Sequence, residues 1–251
     1  MANFVLVHGA WHGGWCWQRV VAPLASAGHR VYAPTLTGVG ERAHLLSSLI
    51  TLETHIADVA NVLEAEELES VVLVVHSYAG MLGTAIADRM GARLKHLVYV
   101  DAVVPKPGES WSSTQASATR EQRLAAAQAS AEYSFPAPDP AVFGLAGSDL
   151  EWVKRRQTPH PGHTYQAPLD FDVARVAAVP RTFVDCTKPP LGTIDVVRRR
   201  VRDPKFWDGA WQGGGGARVV ELPTGHDPMI SAPGELTRLL LDAAGRSDAY
   251  S

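Results

Sequence analysis

Residues Val71 to Gly80 read VVLVVHSYAG, an unbroken apolar run that stops at His76-Ser77-Tyr78-Ala79-Gly80. Helical spacing of apolar residues follows, from Met81 to Met90. An apolar run without alternation predicts a strand buried on both faces of a parallel sheet. A strand that turns sharply into a helix, with serine at the apex, is the arrangement of a nucleophile elbow. Such a turn holds Ser77 Oγ clear of the backbone. The helix N-terminus behind it favours negative charge near that oxygen.

The stretch departs from G-x-S-x-G, in which glycines two residues either side of the serine relieve crowding. Those positions hold Val75 and Ala79, and the glycine stands at Gly80. Ala79 is small, so Val75 is where strain is expected. Read alone, Ser77 also fits an N-cap on an ordinary helix.

Composition narrows the setting. The chain has 251 residues, 46% of them hydrophobic, enough for one α/β unit with a sizeable core. A net charge of −3 and the lack of a basic stripe argue against a nucleic-acid partner. Cys16 and Cys186 lie far apart, near predicted strand ends. That suits a reduced, cytoplasmic protein better than a disulfide framework. The N-terminus enters FVLVHGA with neither a basic segment nor a small-residue cleavage site, so no signal peptide is expected. No apolar run approaches the roughly 20 residues of a membrane helix.

Along the chain, Phe4 to Val7 reads as a strand, followed by the glycine- and tryptophan-rich loop from His8 to Trp15. Val20 to Ala27 has helical spacing and stops at Gly28, and His29 to Ala33 is the next strand. Leu52 to Leu68 is an acidic amphipathic helix. After the elbow and its helix, Leu94 to Val100 is a buried strand ending at Asp101. Strand alternating with helix is the rhythm of a parallel sheet covered on both faces. It breaks at Pro105. From there to Asp172 the chain carries two helical patches, Arg120 to Tyr133 and Asp149 to Gln157, and no convincing strand. An insertion of that length is read as a lid. The rhythm resumes with Arg181 to Cys186, a helix near Ile194 to Val201, Arg218 to Leu222 and a last helix from Pro233 to Ala244. Asp208 to Gly216, with Trp211 and four consecutive glycines, precedes a strand and lacks Lys-Ser/Thr. It reads as a flexible surface loop, not a phosphate cradle.

The last strand ends in Pro223-Thr224-Gly225-His226-Asp227. Ligand sites in open α/β sheets gather at the carboxyl ends of strands. Ser77, His226 and the His8–Trp15 loop all belong there. A histidine so placed can take the serine proton and return it to a leaving group.

Five ordered stretches, VLVHGAWHGGWCW, VVHSYAGM, LVYVDAVVP, TFVDCT and LPTGHDPMISAP, resemble the α/β-hydrolase family. More narrowly, they resemble the branch of plant methyl esterases, plant hydroxynitrile lyases and bacterial pyrethroid-hydrolase-like carboxylesterases. APTLTGVGERAHLL and RRQTPHPGHTYQAPL are most similar to the bacterial carboxylesterases. The resemblance implies an α/β-hydrolase fold, with a mostly parallel sheet of about six strands flanked by helices. Residues 1–104 and 173–251 form the core, and 105–172 the helical lid after the strand ending at Asp101. It also implies a carboxylic-ester hydrolase working through a seryl acyl-enzyme, with Ser77 as nucleophile and His226 as general base. The backbone N–H groups of Ala10 and Tyr78 become the oxyanion hole.

The triad acid stays open. Plant relatives carry an aspartate shortly after the Cys-Thr of the penultimate strand, where this chain has Cys186-Thr187-Lys188-Pro189-Pro190. Asp101 closes the strand after the elbow unit, a position some α/β-hydrolases use, and is the favoured candidate. Its alternative role is a loop cap bonding backbone N–H groups. Asp185 lies inside its strand and is expected to face away; Asp195 lies on the next helix. Asp227, adjacent to His226, would point elsewhere.

His8 with His12, and His160 with His163, have spacings that invite a metal reading. Neither pair lies on a predicted helix or beside a carboxylate cluster, so no metal and no cofactor are expected. His76 reads as structural, and the run from Arg198 to Arg202 as a solvated helix face. Trp11, Trp15 and Tyr78 read as pocket wall. The expected partner is a small-molecule ester, and a homodimer is left open. Two rival functions remain. One is a hydroxynitrile-lyase-type proton shuttle, disfavoured because Asp227-Pro228-Met229 stands where those lyases carry lysine. The other is a non-catalytic binding protein that lost its triad.

Overall fold

The computed structural model describes residues 1–213 and 216–245. Strand β1 (Asn3–Val7) leads through a loop to α1 (Gln18–Ser26), and β2 (Arg30–Tyr32) follows. Helix α2 (Leu52–Ala65) starts at a capping box in which Thr51 and Thr54 satisfy each other's backbone N–H groups. It buries Leu52, Ile56, Val59 and Leu63, one side of the helix. Next come β3 (Val71–His76), α3 (Gly80–Met90) and β4 (Leu94–Val100).

The segment 105–172 contains α4 (Ser117–Gln128), β5 (Ser134–Phe135), α5 (Gly147–Lys154), β6 (His160–Pro161) and α6 (His163–Gln166). The expectation of no strand here is corrected. β5 and β6 pair antiparallel, a two-residue ribbon too short to leave an alternating pattern in the sequence. The chain returns through α7 (Val173–Ala177) to β7 (Arg181–Cys186), α8 (Asp195–Arg200) and β8 (Ala217–Leu222). Helices α9 (Pro228–Ser231) and α10 (Pro233–Gly245) complete it.

Six strands form the main sheet in the order β2-β1-β3-β4-β7-β8, and every pairing is parallel. Parallel strands require crossovers, and the helices supply them. α1 packs on α10, and α3 on α2 and α7. Strand β3 is buried along its whole length, which is why its sequence runs apolar without alternation. β7 is buried too, and its Arg181 and Asp185 are held there by hydrogen bonds to backbone carbonyls and to arginines.

The segment near Trp211 is packed, in contrast to the flexible loop expected from its glycines. Trp211 is fully buried, and the Arg181 guanidinium donates to the carbonyl oxygens of Ala210 and Trp211. Of the four glycines, Gly214 and Gly215 lie outside the described residues. Among the described residues, no helix is long and apolar enough to cross a membrane.

Candidate active site

Strand β3 ends at His76, and Ser77 follows in a left-handed conformation with φ 54°. Non-glycine residues avoid that region, so the turn is held by its surroundings. The Ser77 carbonyl accepts from Val103 N–H at 2.9 Å, tying the turn to the segment after β4. That approach explains why glycine sits at position 80. A Cβ there would lie 1.8 Å from the Val103 carbonyl oxygen. Val75 is accommodated by Gly83, one turn into α3, where an added Cβ would lie 2.8 Å from both Val75 methyl carbons. The crowding expected at Val75 is relieved from the helix side.

In the β3–β4 register His76 pairs with Val100. Ser77 and Asp101 therefore leave adjacent strands side by side. Asp101 is also left-handed, with φ 42°, and its N–H donates to the Val184 carbonyl at 2.8 Å. His226 comes over from the loop after β8. Its Nε2 lies 2.9 Å from Ser77 Oγ, and its Nδ1 lies 2.7 Å from Asp101 Oδ2. All three are buried.

Asp185 is turned elsewhere. Its Oδ1 accepts from Arg198 Nε at 2.7 Å and its Oδ2 from Arg202 Nη2 at 2.6 Å. Arg198 also donates to Asp195 Oδ1 at 2.8 Å and, through Nη2, to both oxygens of Asp101. This corrects the reading of the arginine run as a solvated face. Arg198 is buried between three carboxylates. Burial works against its charge, but Asp101 and Asp185 outweigh it and raise its pKa. Nothing in a run of arginines marks which one turns inward; the Asp195–Arg198 spacing on one helix was the only hint.

A second network lies behind His226. His76 donates through Nε2 to the His226 carbonyl at 2.9 Å. Burial holds its pKa well below the ordinary value, with the nearby His226 adding to the effect. His12 donates through Nδ1 to the Ala10 carbonyl at 2.8 Å and through Nε2 to Asp227 Oδ2 at 3.2 Å. Burial alone would lower the His12 pKa, yet the Asp227 charge and hydrogen bond raise it. Burial would likewise raise Asp227, but His12 brings it down to about 2. Asp227 thus ties the histidine loop to the first loop. His76, His226 and Asp227 have ligand-type atoms within 4.8 Å of one another. Both nitrogens of His226 are already engaged by Ser77 and Asp101, so the group is a hydrogen-bond network.

His8 donates through Nδ1 to the Gly9 carbonyl and accepts from Leu36 N–H through Nε2. Burial lowers its pKa to about 3. His160 accepts from Trp11 N–H at 3.4 Å and contacts Thr164 Oγ1 at 3.0 Å. His163 stacks on Tyr133.

Ala10 precedes Trp11, itself left-handed with φ 65°. Tyr78 opens the turn after Ser77, where amides have no partner within the helix. The Tyr78 ring is fully buried, its hydroxyl 3.2 Å from His55 Nδ1. Trp11 is buried against Trp111, Phe135 and Phe143. Trp15 stacks on His12 and packs edge-on against Trp152. Segment 105–172 holds both loops directly. Thr158 N–H donates to the Trp11 carbonyl at 3.1 Å, and His226 N–H to the Phe143 carbonyl at 2.9 Å.

The sequence model of the alpha/beta hydrolase family matches residues 4–239. The chain belongs to the alpha/beta hydrolase family. A carbendazim hydrolyzing esterase of Nocardioides sp. (strain SG-4G) is 42% identical over 96% of this chain and 98% of its own. Methylesterase 7 of Arabidopsis thaliana is 27% identical over 97% and 96%. Among solved structures, an extracellular alpha/beta-hydrolase from a Paenibacillus species superposes with a TM-score of 0.78 at 20% identity, covering 97% of this chain and 99% of that one. A pyrethroid hydrolase from Sphingobium faniae gives 0.71 at 22% identity, covering 99% of both. These structural likenesses speak to the fold. Both of these sequence relatives are named as esterases.

Proposed function

We propose that this alpha/beta hydrolase cleaves a small-molecule carboxylic ester through an acyl-enzyme on Ser77. One observation carries the reading: a single hydrogen-bonded line from Ser77 Oγ through His226 to Asp101. The 42%-identical esterase supports ester hydrolysis as the reaction class.

In this mechanism His226 Nε2 takes the Ser77 proton as Oγ attacks the ester carbonyl carbon. The N–H groups of Ala10 and Tyr78 receive the developing oxyanion. Collapse of the tetrahedral intermediate breaks the carbon–oxygen bond to the alcohol, and His226 protonates that leaving oxygen. Water then adds to the acyl-enzyme by the same steps, releasing the acid and restoring Ser77. Asp101 accepts from His226 Nδ1–H throughout, fixing the tautomer and stabilising the imidazolium. Residues 105–172 act as a lid on a core of 1–104 and 173–251, and Trp11 forms part of the substrate wall. Asp101 beside His226 weighs against a non-catalytic relative that lost its acid. Two buried, unpaired cysteines suit a reducing, cytoplasmic setting.

A fluorophosphonate probe tests this. Mass spectrometry should place one adduct on Ser77, and Ser77→Ala should abolish both labelling and ester turnover. Undiminished turnover in Ser77→Ala would end the acyl-enzyme mechanism.

A further inference from the structure

We infer that the cavity under α4 is a subsite for a flat aromatic group carrying a hydrogen-bond acceptor, and that Arg123 reads that acceptor. Its place beside the reacting bond rests on the hydrolase reading above. The cavity has a volume of about 280 Å³ and is lined by Trp11, Thr119, Gln122, Arg123 and Phe135, among others. That is slightly below the range of pockets for whole drug-sized ligands, so it suits part of a substrate.

The polar chemistry of the wall is unfinished. The Arg123 guanidinium lies 5.1 Å from the ring centres of Trp11 and Trp111, 5.3 Å from Tyr165 and 5.9 Å from Phe135. Ring faces attract its charge, but they do not replace an in-plane acceptor for each N–H. Arg123 Nη1 is buried without a hydrogen-bond partner, and the charge interaction resolved for this arginine is with Tyr165, not with a carboxylate. Trp11 Nε1 is buried and unpartnered too, whereas the Tyr165 hydroxyl interacts with the guanidinium itself. Two orphaned donors on this wall, Arg123 Nη1 and Trp11 Nε1, are costly unless something brings an acceptor.

The walls give the shape of what brings it. Trp11 and Phe135 present aromatic rings, with Pro136 and Pro138 beside them. A flat ring with an acceptor on its edge satisfies both the stacking surface and the Arg123 guanidinium that lines the cavity. Trp11 also joins this cavity to the reacting groups. It follows Ala10, and its ring packs 6.2 Å from Phe143, which packs 5.5 Å from His226.

The test uses two methyl esters of one shape, a quinolinecarboxylate with a ring nitrogen and the matching naphthoate without it. Calorimetry on Ser77→Ala protein measures binding without turnover. Adding Arg123→Met should lower the quinoline-to-naphthalene affinity ratio about tenfold or more, the usual scale for a hydrogen bond to a charged donor. Adding Arg123→Lys instead should keep part of that preference. A ratio unchanged by Arg123→Met overturns the inference, as does failure of both esters to bind. If Arg123→Met does not fold, the Arg123→Lys ratio and the Ser77→Ala ratio decide. Equality of the two then overturns it, and a drop on lysine supports it. Discriminating binding without hydrolysis by the wild-type protein would sink the hydrolase reading and leave the subsite standing.

Discussion

Arg198 Nη2 donates to both carboxylate oxygens of Asp101, at 2.8 and 3.1 Å. The same carboxylate faces His226 Nδ1 at 2.7 Å. Asp101 therefore has its negative charge shared between a permanent cation and the histidine. Its orientation is fixed from two sides, and Asp185 anchors the arginine from a third.

Asp101→Asn is expected to lower ester turnover by about two to four orders of magnitude, as loss of a triad acid does in serine proteases. Asp185→Asn should leave turnover within about tenfold. Its cost falls on stability, because Arg198 and Arg202 lose a buried partner. Steady-state kinetics on the two variants separate the roles. Equal kinetic losses would mean that Asp101 is not the acid facing His226.

Arg198→Met should destabilise the fold by about 3–5 kcal/mol, the range seen when one member of a buried ion pair is removed. Arg198→Lys should recover only part. A single ammonium cannot span Asp101, Asp185 and Asp195 as the planar fork does. Urea midpoints read this directly. Wild-type stability in Arg198→Met would show that the three carboxylates do not depend on it.

Gly83→Ala should cost about 1–3 kcal/mol, because its Cβ would press on both methyl carbons of Val75. Val75→Ala should relieve the clash, so Gly83→Ala costs less in that background. A double-mutant cycle measures the coupling. Strict additivity would refute the contact as the source of the crowding.

The His12–Asp227 pair should leave a mark on the pH dependence of stability. The His12 pKa is raised in the fold, so its contribution is full below 6.5 and fades as pH climbs through the raised value. The Asp227 pKa is lowered to about 2, so its contribution holds above 3.8 and is lost as pH falls towards that value. The stability gap between wild type and Asp227→Asn should therefore be widest between 3.8 and 6.5. Urea midpoints across pH check it, and a gap that stays flat across both limits would contradict the pairing.

The sequence by itself determined the parallel sheet, because a strand buried on both faces runs apolar, as β3 does over Val71–His76, and because strands alternate with helical spacing on either side of it. It also marked Ser77 and His226 as candidates, since both stand where a strand ends at its carboxyl edge, the place where ligand sites of such sheets gather. Tertiary structure alone decided the neighbours. That Asp101 meets His226 and Asp185 does not depends on the register of β3 against β4 and on which way each side chain leaves its strand. That Arg198 turns inward, and that Gly83 makes room for Val75, depend on contacts between segments remote in sequence or on opposite sides of a strand–helix turn. Local spacing records which residues share a strand or a helix face. The partner across the gap is fixed only when separate elements pack, and the chemistry of this site lies in those gaps.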